Sequence, residues 1–125
     1  MTEDTPLVTI LLVEDDEDVG ALLAEVFKEA RPYLVLHLTD GAHALEAVRT
    51  IKPNLLLVDY QLPGIDGLEL YDRLHAIEGF EHVPALLMSA NSPPAEELHK
   101  REITFIAKPF EIADLLGTVD ALLSQ

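Results

Sequence analysis

Glu14, Asp15, Asp59, Ser89 and Lys108 each follow an apolar run that reads as a β-strand, and together they make up a set that could do chemistry. Three carboxylates brought together favour a hard divalent cation. Mg²⁺, which takes few protein oxygens plus waters and phosphate oxygens, suits them better than Zn²⁺ in a chain with no Cys and no obvious His ligands. One carboxylate is then a candidate nucleophile toward phosphorus. A Lys amine and a Ser hydroxyl at neighbouring strand ends would hold incoming phosphoryl oxygens, while the metal offsets charge that otherwise repels an anion. The pattern points to phosphoryl transfer. Taken singly, each residue has a plainer reading, because a Ser or Lys just beyond a strand is usually a solvated loop residue. Their recurrence after four strands favours a site, since ligands gather at the carboxyl ends of parallel strands.

The acids near the start need the same weighing. Glu14 to Asp18 are all acidic. Asp16 is a good helix N-cap, and Glu17 and Asp18 suit the positive end of a helix dipole. Capping does not account for Glu14 and Asp15, which fall at the strand end and repel each other unless a cation lies between them. Asp59 closes the unbroken apolar run Leu55 to Val58, the mark of a strand buried on both faces. Pro63, Gly64, Asp66 and Gly67 then keep the chain irregular, so Asp59 is expected to stand exposed at the mouth of the sheet.

The elements that position these residues follow from the apolar spacing. Strands are expected over Leu7 to Val13, Leu34 to Leu38, Leu55 to Val58, Val83 to Met88 and Thr104 to Ala107. Val19, Leu22, Leu23, Val26 and Phe27 have helical spacing, in a helix closed by Arg31 and Pro32. Asp40 and Gly41 open a second helix with an inner face of Ala44, Leu45, Val48 and Ile51, ended by Pro53 and Asn54. A third carries Leu68, Tyr71, Leu74 and Ile77 as far as Gly79. Ser92 is expected to cap a short fourth helix with Pro93 at its first position. Only Pro93 to about Glu102 can be helical there, with Ala95 and Leu98 facing inward, so this helix is expected to be the least stable. A last helix starts at Glu111, with Ile112, Leu115, Leu116, Val119 and Leu122 on its core face and Gly117 as a weak point. Strands and helices that alternate in this way imply a single five-stranded parallel sheet, helices on both faces, joined by right-handed crossovers.

Length and charge bound the rest. The chain has 125 residues, one ordinary domain, and 49% hydrophobic content is ample for a core. With 8 basic against 23 acidic side chains, its net charge of -15 argues against direct nucleic-acid binding or an anionic membrane surface. No apolar run approaches the roughly 18 residues of a membrane span, and the opening MTEDTP is acidic where a secretory signal is basic. A cytoplasmic location is expected. The absence of Cys excludes disulfide and thiol chemistry.

The motifs LLVEDD at 11 to 16, LLLVDYQLPGIDG at 55 to 67, LLMSA at 86 to 90 and AKPF at 107 to 110 resemble, in order and spacing, those of the receiver domain of two-component response regulators. The resemblance covers about Val8 to Leu123. It implies a flavodoxin-like, doubly wound fold with strand order 2-1-3-4-5, which sets the first and third strands side by side. It also implies that Asp59 is phosphorylated by a phosphohistidine of a histidine kinase or histidine phosphotransfer protein, in a self-catalysed transfer with slow autodephosphorylation rather than turnover. Glu14, Asp15 and Asp59 would hold Mg²⁺ together with the backbone carbonyl of Gln61. Ser89 and Lys108 would engage the phosphoryl group, and Phe105 would be the aromatic switch that follows the hydroxyl residue. Lys108–Pro109 resembles the family's cis peptide. Phosphorylation would switch a surface for a downstream protein partner or a homodimer. The expected unit is one receiver domain over 1–125, with no output domain following the last helix.

One segment departs from the family pattern: between Ser89 and Lys108 the chain is shorter than usual, carries Pro93 and Pro94, and has Arg101, Glu102 and Ile103 where Gly-Ala is customary. This bears on the output face rather than the chemistry. Two other classes compete. Asp16-Glu17-Asp18-Val19 fits the start of haloacid-dehalogenase-like phosphatases, with Asp16 as nucleophile, although there the first Asp sits directly on the strand end. An unphosphorylated acidic binding module would show no Mg²⁺ dependence. A flavin carrier is disfavoured, because no Ser/Thr/Gly-rich phosphate loop follows the first strand.

Overall fold

A computed structural model describes residues 7–125; the acidic opening stretch Met1 to Pro6, read above as unlike a secretory signal, lies outside them. The elements in chain order are β1 (Val8–Val13), α1 (Glu17–Ala30), β2 (Tyr33–Leu38), α2 (Gly41–Ala47), β3 (Leu55–Asp59), α3 (Gly67–His75), β4 (Ala85–Ser89), α4 (Ala95–Arg101), β5 (Thr104–Ala107) and α5 (Ile112–Leu123). The strands form one parallel sheet in the order β2-β1-β3-β4-β5. Every residue of β3 and β4 is buried, as expected for strands covered on both faces.

Alternation along the strands divides the core in two. Leu11, Val13, Leu56, Val58 and Leu87 point to the side covered by Ala44 of α2 and Leu70 and Leu74 of α3. Ile10, Leu12, Leu55, Leu57, Leu86 and Met88 point to the side covered by Leu23 and Phe27 of α1 and Leu115 and Val119 of α5. Each fully buried Leu or Phe contributes about 1.5–3 kcal/mol over its exposed form, so together these layers hold the strand ends in fixed register. β1 pairs with β3 from Ile10↔Leu55 to Val13↔Val58, and β4 with β5 from Leu86↔Thr104 to Ser89↔Ala107. The carboxyl ends of β1, β3, β4 and β5 therefore lie along one edge of the sheet.

Several local expectations are corrected. Ile51 is exposed rather than on an inner face: α2 stops at Ala47, and the chain leaves through a tightened turn in which Thr50 N–H donates to Ala47. Ile112 and Leu22 are likewise exposed, while the buried stripe of α1 runs Gly20, Leu23, Phe27. Ser92 does not cap α4. Its hydroxyl donates to the Pro93 carbonyl, and the helix begins only after Pro94. The reason is local, since a residue before proline is disfavoured in the helical region, which bars Pro93 from being the first helical residue. Pro93 is buried instead, Ala95 is exposed, and no residue of α4 is buried, although Leu98 packs partly against the core. No helix among the described residues is long and apolar enough to cross a membrane.

Candidate active site

β1 delivers Glu14 and Asp15 to the edge of the sheet before Asp16 turns the chain into α1. The Asp16 carboxylate accepts from Asp18 N–H (2.9 Å) and Val19 N–H (3.1 Å), the ordinary work of a cap. Asp16 N–H in turn donates to Glu14 Oε2 at 3.1 Å. β3 delivers Asp59, which is 5% exposed and so buried, not open as the sequence suggested. The strand runs one residue further than expected, pairing Asp59 with Met88, and Lys108 covers the carboxylate.

Lys108 joins the strand ends. Its Nζ donates to Glu14 Oε1 at 2.9 Å and to Asp59 Oδ2 at 2.8 Å. Asp59 Oδ1 accepts from Gln61 N–H at 3.0 Å, so both of its oxygens have donors. The Lys108–Pro109 peptide is cis. Burial pushes the Glu14 carboxyl above its usual range, aided by the Asp59 charge; hydrogen bonds from Lys108 and Asp16 pull the other way without cancelling it. For Lys108, burial is the largest influence and lowers it, yet its bonds to Asp59 and Glu14 leave the ammonium held above its ordinary value. The cation is therefore firmly charged between two carboxylates.

Ser89 ends β4, is fully buried, and its Oγ accepts from Asn91 N–H at 3.0 Å, while Lys108 N–H donates to the Ser89 carbonyl at 2.9 Å. Phe105 lies one pleat back on β5, opposite Leu87 and on the same face as Ser89, half-buried against the α3 and α4 side of the core. All the residues singled out in the sequence thus converge on one edge, except Phe105, which sits just behind it. One residue was read only as a turn former. Gly67 is packed so closely that a Cβ would lie 2.5 Å from the Asp59 carbonyl oxygen, and its N–H donates to Tyr60 O at 2.8 Å. Gly67 lets the β3–α3 loop fold under Asp59, and nothing in local patterning reveals such an approach.

Ligand oxygens of Glu14, Asp15 and Asp59 all lie within 4.8 Å of one another. That is close to the span of about 4.2 Å between opposite ligands of an octahedral Mg²⁺. Asp15 is exposed, so a cation can be reached from solvent. Three hard oxygen donors against one ammonium leave negative charge uncompensated, and the donor set fits a small divalent cation.

The model of the response regulator receiver domain matches residues 10–120. The chain belongs to this family. Sporulation initiation phosphotransferase F of Bacillus subtilis is 32% identical over 113 residues, covering 88% of this chain and 89% of that protein. Transcriptional regulatory protein BaeR of Escherichia coli is 33% identical over 128 residues, covering 98% of this chain and 50% of that protein. The chain thus spans about half the length of that regulator, and 8% of a hybrid signal transduction histidine kinase of Dictyostelium discoideum that it also matches at 28% identity. Among solved structures, the receiver domain of a signal transduction histidine kinase from Syntrophus aciditrophicus superposes with a TM-score of 0.84 at 27% identity, covering 94% of this receiver chain and 90% of that one. The phosphatase alternative is not supported: Asp16 is committed to capping α1 and stands outside the acid trio.

Proposed function

We propose that this receiver domain is the phosphoacceptor of a phosphorelay, with Asp59 taking the phosphoryl group from a phosphohistidine of a histidine kinase or histidine phosphotransfer protein. The observation that carries this reading is the Lys108 ammonium held between Glu14 and Asp59 at the carboxyl edge of the sheet, beside exposed Asp15. An Asp59 carboxylate oxygen attacks phosphorus; the P–O bond forms as the P–N bond breaks, and the electron pair leaves with the imidazole nitrogen. Lys108 stays beside the new acyl phosphate and neutralises part of its charge. Ser89, one strand away, is the hydroxyl that turns toward a phosphoryl oxygen, and Phe105 moves inward behind it. Glu14, Asp15 and Asp59, with the Gln61 carbonyl, would hold Mg²⁺, which when bound supplies the positive charge that lets an anionic donor approach three acids.

The donor has a surface to meet. Val19, Leu22 and Ile112 are exposed, and with Ala90, Pro109 and Phe110 they rim an apolar groove that runs up to Lys108. A helical donor that presents its phosphohistidine to Asp59 would cover this groove, and the downstream partner or second copy would bind after the switch. Acetyl phosphate with and without Mg²⁺, read by intact mass, tests the reading. One phosphoryl group should add only with Mg²⁺, and Asp59→Asn should abolish it without loss of fold. Labelling retained in the variant would move the acceptor elsewhere.

A further inference from the structure

The two acids that follow β1 leave the backbone on either side of one peptide bond, and that peptide is held from the edge strand β2. Its carbonyl, Glu14 O, accepts from His37 Nε2 at 2.9 Å, while the preceding peptide is tied to β2 through Glu14 N–H, which donates to Leu38 O at 3.0 Å. A carbonyl oxygen can only accept, so this contact requires the proton on Nε2. The ring lies against α1 where Gly20 leaves a notch: a Cβ there would fall 2.0 Å from both Cε1 and Nε2. A glycine inside a helix costs about 1 kcal/mol relative to Ala, and here the ring supplies the reason for one. Any side chain at position 20 would drive the imidazole off the Glu14 carbonyl.

The consequence is geometric. A peptide unit is planar, so fixing the Glu14 carbonyl fixes the Asp15 N–H and Cα as well. The Glu14 carboxylate has further anchors in Lys108 and Asp16 N–H. Exposed Asp15 takes its direction from the backbone. We propose that His37 is a positioning residue for the metal site: its Nε2–H, seated in the notch at Gly20, sets the plane of the Glu14–Asp15 peptide and with it the spread of the two carboxylates. This rests on the Mg²⁺ reading above. Groups that act on a metal through its ligands commonly change affinity without touching the metal.

Mg²⁺ titration of the full chain, followed by NMR at the amides of Asp15 and Gln61, tests it with two variants. His37→Phe keeps a ring in the notch but has no donor. His37→Gln restores a side-chain amide N–H at a reach close to that of Nε2. H37F should raise the Mg²⁺ Kd about tenfold and H37Q should stay within about twofold of wild type, in line with the effect of ligand-orienting groups. A role in stability alone would lower the melting temperature and leave the Kd of folded protein unchanged. H37F binding as tightly as wild type, or H37Q weakened as far as H37F, overturns the inference alone. A wild type without any Mg²⁺ response overturns the metal reading and the inference with it. Should H37F not fold, the wild-type ring decides: an Nε2–H proton slow to exchange and shifted by Mg²⁺ supports the role, and a bare Nε2 overturns it.

Discussion

Lys108 stands between two buried carboxylates, like charges whose oxygens approach within 4.8 Å. Removing it leaves Glu14 Oε1 and Asp59 Oδ2 without their donor, and a buried polar group stripped of its partner costs about 1–3 kcal/mol. Lys108→Met should therefore lower stability by about that much in metal-free buffer, read as the urea midpoint at constant slope. An unchanged midpoint would show that the ammonium contributes nothing to the resting fold. Two glycines make an opposite pair. Gly67→Ala puts a methyl against the Asp59 carbonyl and the Tyr60 backbone, and should cost about 1–3 kcal/mol, as overpacking does. Gly117 lies in α5 with nothing near the place of its Cβ, so Gly117→Ala should gain up to about 1 kcal/mol.

At the scale of elements, α4 is the weak helix, with seven residues and none buried. What holds it is polar. Arg101 reaches back to Asp72 of α3 at 2.8 and 2.9 Å and to Glu97 at 2.8 Å, and Tyr71 donates to the Arg101 carbonyl. Hydrogen exchange should be faster over Ala95–Arg101 than in α1 or α5, and Arg101→Met should speed it further there alone. Phosphorylation should alter exchange in the same stretch, since Ser89 lies before it and Phe105 after. Slow exchange equal to that of α5, and indifferent to the phosphoryl group, would refute this. At the opposite end of the sheet from the acids, Asp120 of α5 is tied to Arg31 at 2.6 Å and to the Tyr33 hydroxyl at 2.8 Å. The Arg31 bond first, then that from Tyr33, holds the Asp120 carboxyl below the ordinary carboxylate range. A depressed carboxylate stabilises the fold above its unfolded value, about 3.9, and that gain is lost as pH falls below it. Asp120→Asn should thus be less stable than wild type at neutral pH, with the gap closing below about pH 4. The pair is partly exposed, so the gap is small.

For the whole molecule, a cation held at the acid edge would be linked to folding. A ligand that binds only the native state adds about 2.7 kcal/mol when its free concentration is a hundredfold above Kd. Mg²⁺ should raise the melting temperature, and Glu14→Gln with Asp15→Asn should remove most of that rise. The same double variant should melt no lower than wild type without metal, because it relieves repulsion that burial worsens at Glu14. A variant that responds to Mg²⁺ like the parent would place the cation elsewhere.

Local patterning determined the alternation of five strands and helices, the unbroken runs at β3 and β4, and the polar residues that follow four of the five strands, because those depend on neighbours within a turn or a pleat. The strand order came through the family resemblance, and the sheet carries it. Tertiary structure alone decided that Asp59 is buried, that Ile51 and Ile112 are not, and that Gly20 makes room for His37. Lys108 is 94 residues from Glu14 and 49 from Asp59, Arg101 is 29 from Asp72, and His37 is 23 from Glu14. No helical or strand period reaches so far, and such pairs meet only because packing on both faces of the sheet brings the ends of separate strands and helices together.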